Sequence, residues 1–151
     1  MIVVAIIGII MAIAAPSFSR MLATSEINSV IGQWRDGFNL AQTEALRLKH
    51  RIKLCPSSDG ATCANNKKDF SVGWIVLDLE NNQLIRDFPP SPTLKNNTIK
   101  LNINTPNDII FLHNGRLQSS FASGTLSAMH TKHSNLQASL TIARTGRIRS
   151  S

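Results

Sequence analysis

Met1-Ile-Val-Val-Ala-Ile-Ile-Gly-Ile-Ile-Met-Ala-Ile-Ala-Ala15, closed by Pro16, contains no polar side chain. A helix that crosses a bilayer needs ~20 apolar residues, so this run is short by about a turn and a half. A secretory signal peptide carries a basic segment ahead of its apolar core, and none precedes this one. A helix buried in a globular core normally shows one polar stripe, which is missing. The remaining reading is that the chain as written starts inside a longer hydrophobic helix, truncated at its N-terminus. Proline removes a backbone hydrogen bond and clashes with the preceding turn, which predicts a kink or local melting at Pro16.

Past the proline the pattern becomes amphipathic. Leu22, Ile27, Val30, Ile31, Trp34, Phe38, Ala41, Ala45 and Leu48 recur at spacings of three to five. That stripe is expected to lie on a β-sheet. Arg20, Glu26, Asn28, Arg35, Asp36, Gln42 and Arg47 fall mostly off it. Gly32 and Gly37 weaken the helix slightly. One long helix over about residues 1–48 is predicted, with residues 1–23 as a hydrophobic segment for membrane or filament core. Residues 24–151 form the head, which includes the amphipathic half of the helix.

From His50 the period changes to two. Arg51-Ile-Lys-Leu-Cys55 alternates, which places Ile52 and Leu54 toward the helix and Arg51 and Lys53 in water. Val72–Asp78 and Gln83–Phe88 read as a hairpin across Glu80-Asn-Asn82. Pro89-Pro-Ser-Pro92 ends that pair, because proline cannot donate to a ladder. Further strands are expected at Ile99–Ile103, Asp108–Leu112, Thr125–His130, Leu136–Ala143 and Arg147–Arg149. One long helix followed by short strands gives an α+β architecture. Cys55 and Cys63, eight residues apart in a Pro/Ser/Asp/Gly loop, suit a local disulfide in an oxidising compartment. Such a closure is worth roughly 2–3 kcal/mol in the chain-entropy model.

Met1 to Phe18 resembles the N-terminal helix of type IV pilins and type II secretion pseudopilins. In those proteins a basic leader and a Gly-Phe-Thr-Leu-Ile-Glu-Leu-like processing motif come immediately before; this sequence lacks both, so no processing site is assigned. Leu54-Cys-Pro-Ser-Ser-Asp-Gly60 with Cys63, Gly73-Trp-Ile-Val76, Ile110-Phe111 before Gly115-Arg116, and the ending Thr145-Gly-Arg-Ile-Arg149 together resemble the FimT/GspH-type minor pilins. The resemblance implies a long N-terminal helix packed on antiparallel β-sheets, and an inner-membrane anchor with the head in the periplasm before assembly into the extracellular fibre of a Gram-negative bacterium. Other major and minor pilin subunits are implied as partners through the helix, and prepilin peptidase if the missing N-terminus carries the motif.

Catalysis finds no support in the residues. No nucleophile elbow, phosphate loop or dinucleotide fingerprint occurs. His130 and His133 flank Thr131-Lys132 with no acid after Asp108 to join them, and read as surface histidines rather than metal ligands. Trp34 and Trp74 read as core. No catalytic residue, metal ligand or cofactor is expected.

Charge is distributed unevenly. Residues 1–108 hold eleven Lys/Arg and all nine Asp/Glu, a balance of +2; residues 109–151 hold Arg116, Lys132, Arg144, Arg147 and Arg149 and no acid. A field of one sign attracts polyanions such as DNA or anionic lipid. If Arg147-Ile-Arg149 is extended, Ile148 turns inward and both guanidiniums project outward, with Arg144 joining them across a turn at Gly146. Guanidinium forks bind phosphate oxygens bidentately. Alternatively the arginines cap a sheet edge, touch lipid headgroups or deter aggregation. The Gly-Arg-x-Arg ending resembles the DNA-contact element of FimT-type pilins, which are associated with DNA uptake in natural transformation. That resemblance implies double-stranded DNA as a partner, held by Arg144, Gly146, Arg147 and Arg149 with Lys132 and Arg116. The scarcity of aromatic surface nearby argues against single-strand stacking. Three readings stay open: a DNA-binding minor pilin, a purely structural minor pilin or secretion pseudopilin that primes assembly, and a membrane-anchored enzyme, which the missing catalytic constellations disfavour.

Overall fold

The computed structural model describes the backbone of residues 2–150 and the side chains of Val3, of residues 6–8 and of residues 17–150. Helix α1 runs over Ile2–Leu48 without a break at Pro16, so the local melting expected there does not occur. The rest of the apolar run that suggested a membrane segment lies outside the described side chains. Among the described residues, no helix is long and apolar enough to cross a membrane. Phe18, Met21 and Leu22 stand exposed on α1 ahead of the head. The helix ends at Lys49, which takes φ 60° and still donates its amide to the Ala45 carbonyl. That left-handed residue stops the helix without a glycine.

The predicted stripe is the buried face, with one change. Ile27, Val30, Ile31, Trp34, Phe38, Ala41 and Ala45 are buried, but Leu22 is 50% exposed and Ala23 takes the inward position. Ala23, Ile27 and Val30 follow the i, i+4, i+7 line, and Leu22 lies one residue, about 100°, off it.

Two four-stranded antiparallel sheets follow. The first has the order β3-β2-β1-β5, from β1 (Ile52–Pro56), β2 (Trp74–Asp78), β3 (Gln83–Phe88) and β5 (Ile109–Phe111). The second has the order β4-β6-β7-β8, from β4 (Ile99–Ile103), β6 (Ser123–His130), β7 (Gln137–Ala143) and β8 (Ile148–Ser150). Helix α1 touches both sheets. Trp34 lies 5.3 Å from Phe38 and edge-on to Phe70 at 5.8 Å, and Phe38 lies edge-on to Phe111 at 4.8 Å. These aromatic contacts join helix, first sheet and connecting loop into one core.

Two local readings need correction and a third gains a detail. The strand expected from Val72 starts at Trp74, because Phe70–Val72 forms a 3-10 turn and Gly73 takes φ 97°. The proline run does end β3, but Pro92 opens a short helix, α2 (Pro92–Lys95), where its missing N–H costs nothing. Lys53 is not in open water: its side chain is mostly covered, and Nζ sits 3.3 Å from Asp108, which Lys67 also pairs. The reason is that the outer face of the first sheet is covered too. Cys55 and Ile75, register partners on that face, are both buried. The Cys55–Cys63 disulfide is formed, with Cα atoms 5.6 Å apart.

Asp59 organises the disulfide loop by accepting from the Ala61 and Thr62 amides and the Ser57 and Thr62 hydroxyls, bonds that hold its carboxyl well below the usual range. Asp78 does the same for the β2–β3 turn. Burial opposes its ionisation, but the hydrogen bond with His50 at 2.8 Å and those from the Glu80 and Asn81 amides outweigh it, so its pKa is lowered. A depressed carboxylate contributes stability that is present above its unfolded pKa and lost as pH falls through the folded value. Stability is therefore expected to hold at neutral pH and to decline below about pH 4, the ordinary carboxylate pKa. Urea midpoints across pH check this. Asp78→Asn should be less stable at neutral pH and should flatten the acid limb.

Candidate nucleic-acid interface

Strands β7 and β8 form a tight hairpin. Ile142 pairs with Ile148 and Thr141 with Arg149. The Ala143 amide donates to the Arg147 carbonyl and the Gly146 amide to the Ala143 carbonyl, each at 2.9 Å, which closes the turn around Gly146 at φ 83°. Alternation along the strands then sorts the side chains. Ile142 is buried and Ile148 packs against the core, whereas Arg147 and Arg149 are exposed. The two arginines line one shallow depression with Thr141, Ala143 and Thr145, on the face of the sheet turned away from the helix.

Arg144 faces elsewhere. It lines a separate cleft with Arg116, together with Leu112, Asn114, Leu117 and Ser119. A main-chain bond from the Leu117 amide to the Arg144 carbonyl, 2.9 Å, ties the two segments together. Gln42 on α1 completes the arrangement. Its Nε2 donates to the Gly115 carbonyl at 2.9 Å and to the Gly146 carbonyl at 3.3 Å. One helical amide thus holds both Gly-Arg turns side by side, although they come from different sheets. No pattern in the sequence distinguishes Gln42 from the other polar helix positions.

Lys132 is not part of this cluster. It sits in the β6–β7 loop, at the end of β7 opposite the arginine turn. Seven strand residues separate the two loops, about 20 Å at ~3.3 Å per residue. The same loop corrects the reading of His130 as a surface residue: it is 4% exposed. Its Nδ1 accepts from the Lys132 and His133 amides at 3.2 Å, and its Nε2 faces Glu26 of α1 at 3.4 Å. The acid that the last third of the sequence lacks is supplied by the helix. The His130 ring therefore shapes a turn and faces α1. No group of three or more metal-ligating side chains occurs among the described residues.

Arg47, Arg51, Lys53 and Lys67 each have a carboxylate partner. Among the described residues Arg116, Lys132, Arg144, Arg147 and Arg149 have none within ion-pairing distance, and all five are exposed. The arrangement can hold phosphates by charge-assisted hydrogen bonds.

A long helix laid across two small antiparallel sheets defines a pilin-like subunit. A sequence profile of the type II transport protein GspH family matches residues 31–146, and the chain belongs to this family of minor pilins and pseudopilins. Among solved structures, the type IV minor pilin FimU of Pseudomonas aeruginosa superimposes with a TM-score of 0.59 at 17% identity, covering 87% of each chain. The minor pseudopilin EpsH of the Vibrio cholerae type 2 secretion system gives a TM-score of 0.51 at 16% identity, covering 83% of this chain and 94% of that one. A search of curated proteins found no significant match.

Proposed function

We propose that this chain is a minor subunit of a type IV pilus that binds double-stranded DNA without sequence preference, as part of DNA uptake. The supporting observation is the outward-facing hairpin turn whose arginines have no carboxylate partner among the described residues. Packing of α1 against neighbouring subunits in the fibre, and anchoring in the inner membrane before assembly, fit the exposed Phe18, Met21 and Leu22. The protein works by association and has no turnover chemistry. The alternative is a purely structural pilin or secretion pseudopilin, which the family's name and the EpsH likeness favour.

Phosphate contacts release counterions, at ~0.9 per contact in the slope of log affinity against log salt. Three contacts, from Arg144, Arg147 and Arg149, give a slope of about −3 and an affinity that is micromolar or weaker per subunit, so several subunits would have to supply avidity. The test is a salt titration of duplex binding by the full chain in a non-ionic detergent. Arg147→Gln with Arg149→Gln is expected to remove most of the binding and to leave the Tm unchanged, because both side chains are exposed. Undiminished binding by that double variant would place the contact away from the Arg147–Arg149 face, and an absence of binding by the parent chain would leave the structural reading.

A further inference from the structure

The cleft between the two Gly-Arg turns is a different surface from the one that carries Arg147 and Arg149. Its lining is Leu112, Asn114, Arg116, Leu117, Ser119 and Arg144. Chemically this is a donor set. The residues along it carry two guanidiniums, one amide and one hydroxyl, and Leu117 among them is 2% exposed. The Asn114 side-chain oxygen is already used by the Arg116 amide, so what Asn114 has left to offer is its N–H groups. Among the described residues, no carboxylate lines the cleft.

Its shape is fixed by the main chain rather than by the side chains that line it. The Leu112 amide donates to the Arg116 carbonyl at 2.8 Å and the Gly115 amide to the Leu112 carbonyl at 2.8 Å, which close the first turn. The Leu117–Arg144 bond and the Gln42 amide then set the first turn against the second. Two like charges on residues of one cleft repel each other, an anion between them would offset that, and planar guanidinium forks suit a tetrahedral oxyanion. A cation or a neutral ligand would leave both charges uncompensated.

We propose that Arg116 and Arg144 form a phosphate-binding cleft, a second contact in addition to the Arg147–Arg149 face. Its ligand is a phosphate group; the DNA backbone as the source of that phosphate rests on the proposed function, whereas the cleft itself does not. Gln42 is the positioning residue that keeps the two Gly-Arg turns in fixed relation.

The test uses the full 151-residue chain in a non-ionic detergent. Duplex DNA, inorganic phosphate, and micelles doped with phosphatidylglycerol or with phosphatidylcholine are offered in turn. Affinity is read against salt, and the arginine Nε–H resonances are followed by NMR. With Arg116 added to the three contacts counted above the total slope is about −4; Arg116→Gln with Arg144→Gln should flatten it by about 2, as should Arg147→Gln with Arg149→Gln, from ~0.9 per contact. Inorganic phosphate should move the Arg116 and Arg144 resonances together. A slope flattened only by the Arg147/Arg149 variant, with no joint movement of the Arg116 and Arg144 resonances in inorganic phosphate, would overturn the cleft and leave the DNA reading standing. If DNA does not bind but phosphate or phosphatidylglycerol moves both resonances, and the Arg116/Arg144 variant abolishes the response, the cleft stands and the DNA reading falls. If no arm moves the two resonances together, the cleft is not a phosphate site.

Discussion

Replacing Gly146 with alanine is expected to lower stability by about 2–4 kcal/mol and to weaken DNA binding in the same variant. The backbone there has φ 83°, a region that costs a residue with a side chain about 1–3 kcal/mol. Space is the second obstacle. A Cβ at this position would stand 2.3 Å from Gln42 Nε2 and 2.6 Å from the Gly115 carbonyl oxygen. One neighbour is main chain and cannot rotate away, so the two turns must part and Gln42 must give up its hydrogen bonds. Arg144 and Arg147, on either side of the glycine, would move with the turn. Gly32→Ala is the control with the opposite sign. Nothing lies within 4 Å of a Cβ there, and alanine in a helix interior gains up to about 1 kcal/mol over glycine. Urea midpoints for both variants, with duplex binding measured alongside, check the pair.

Trp34→Ala is expected to cost about 3–5 kcal/mol, the range for removing a large aromatic from a packed core. Trp34 is fully buried against Phe38 and Phe70, so the loss opens the space between α1 and the sheets rather than an edge. Against a typical total of about 5–15 kcal/mol, that leaves a marginal protein. Trp34→Phe should be far milder, within about 1–2 kcal/mol of the parent. It leaves a smaller void and also removes the buried indole N–H, which has no acceptor among the described residues, so part of the packing loss is offset by a relieved desolvation cost. A phenylalanine variant as unstable as the alanine one would show that the indole N–H is satisfied in solution.

Much of this protein is legible from its residues alone. The three-to-five spacing from Ile27 to Ala45 marked the helix face because a helix returns to one side every 3.6 residues. The alternation at Ile99–Ile103 matched β4 from end to end, since that strand is half-buried and its pattern is clean. The elements read less well were those where burial is two-sided or the backbone is irregular. Alternation alone puts Lys53 in water, because it does not reveal the disulfide loop over the outer face. The helical stripe puts Leu22 in the core, because it lies only one residue from the inward line.

The apolar N-terminal run, the helix-then-strands order, the disulfide pair and the acid-free last third were all determined by sequence, because each is a local property of composition or period. Tertiary structure decided what those residues form together. It split the arginines into two surfaces, set Lys132 at the far end of β7, buried His130 with its ring facing Glu26, and placed Gln42 between two turns that lie far apart along the chain. These are contacts across large separations in sequence, set by how two sheets meet one helix, and no local pattern of residues encodes them.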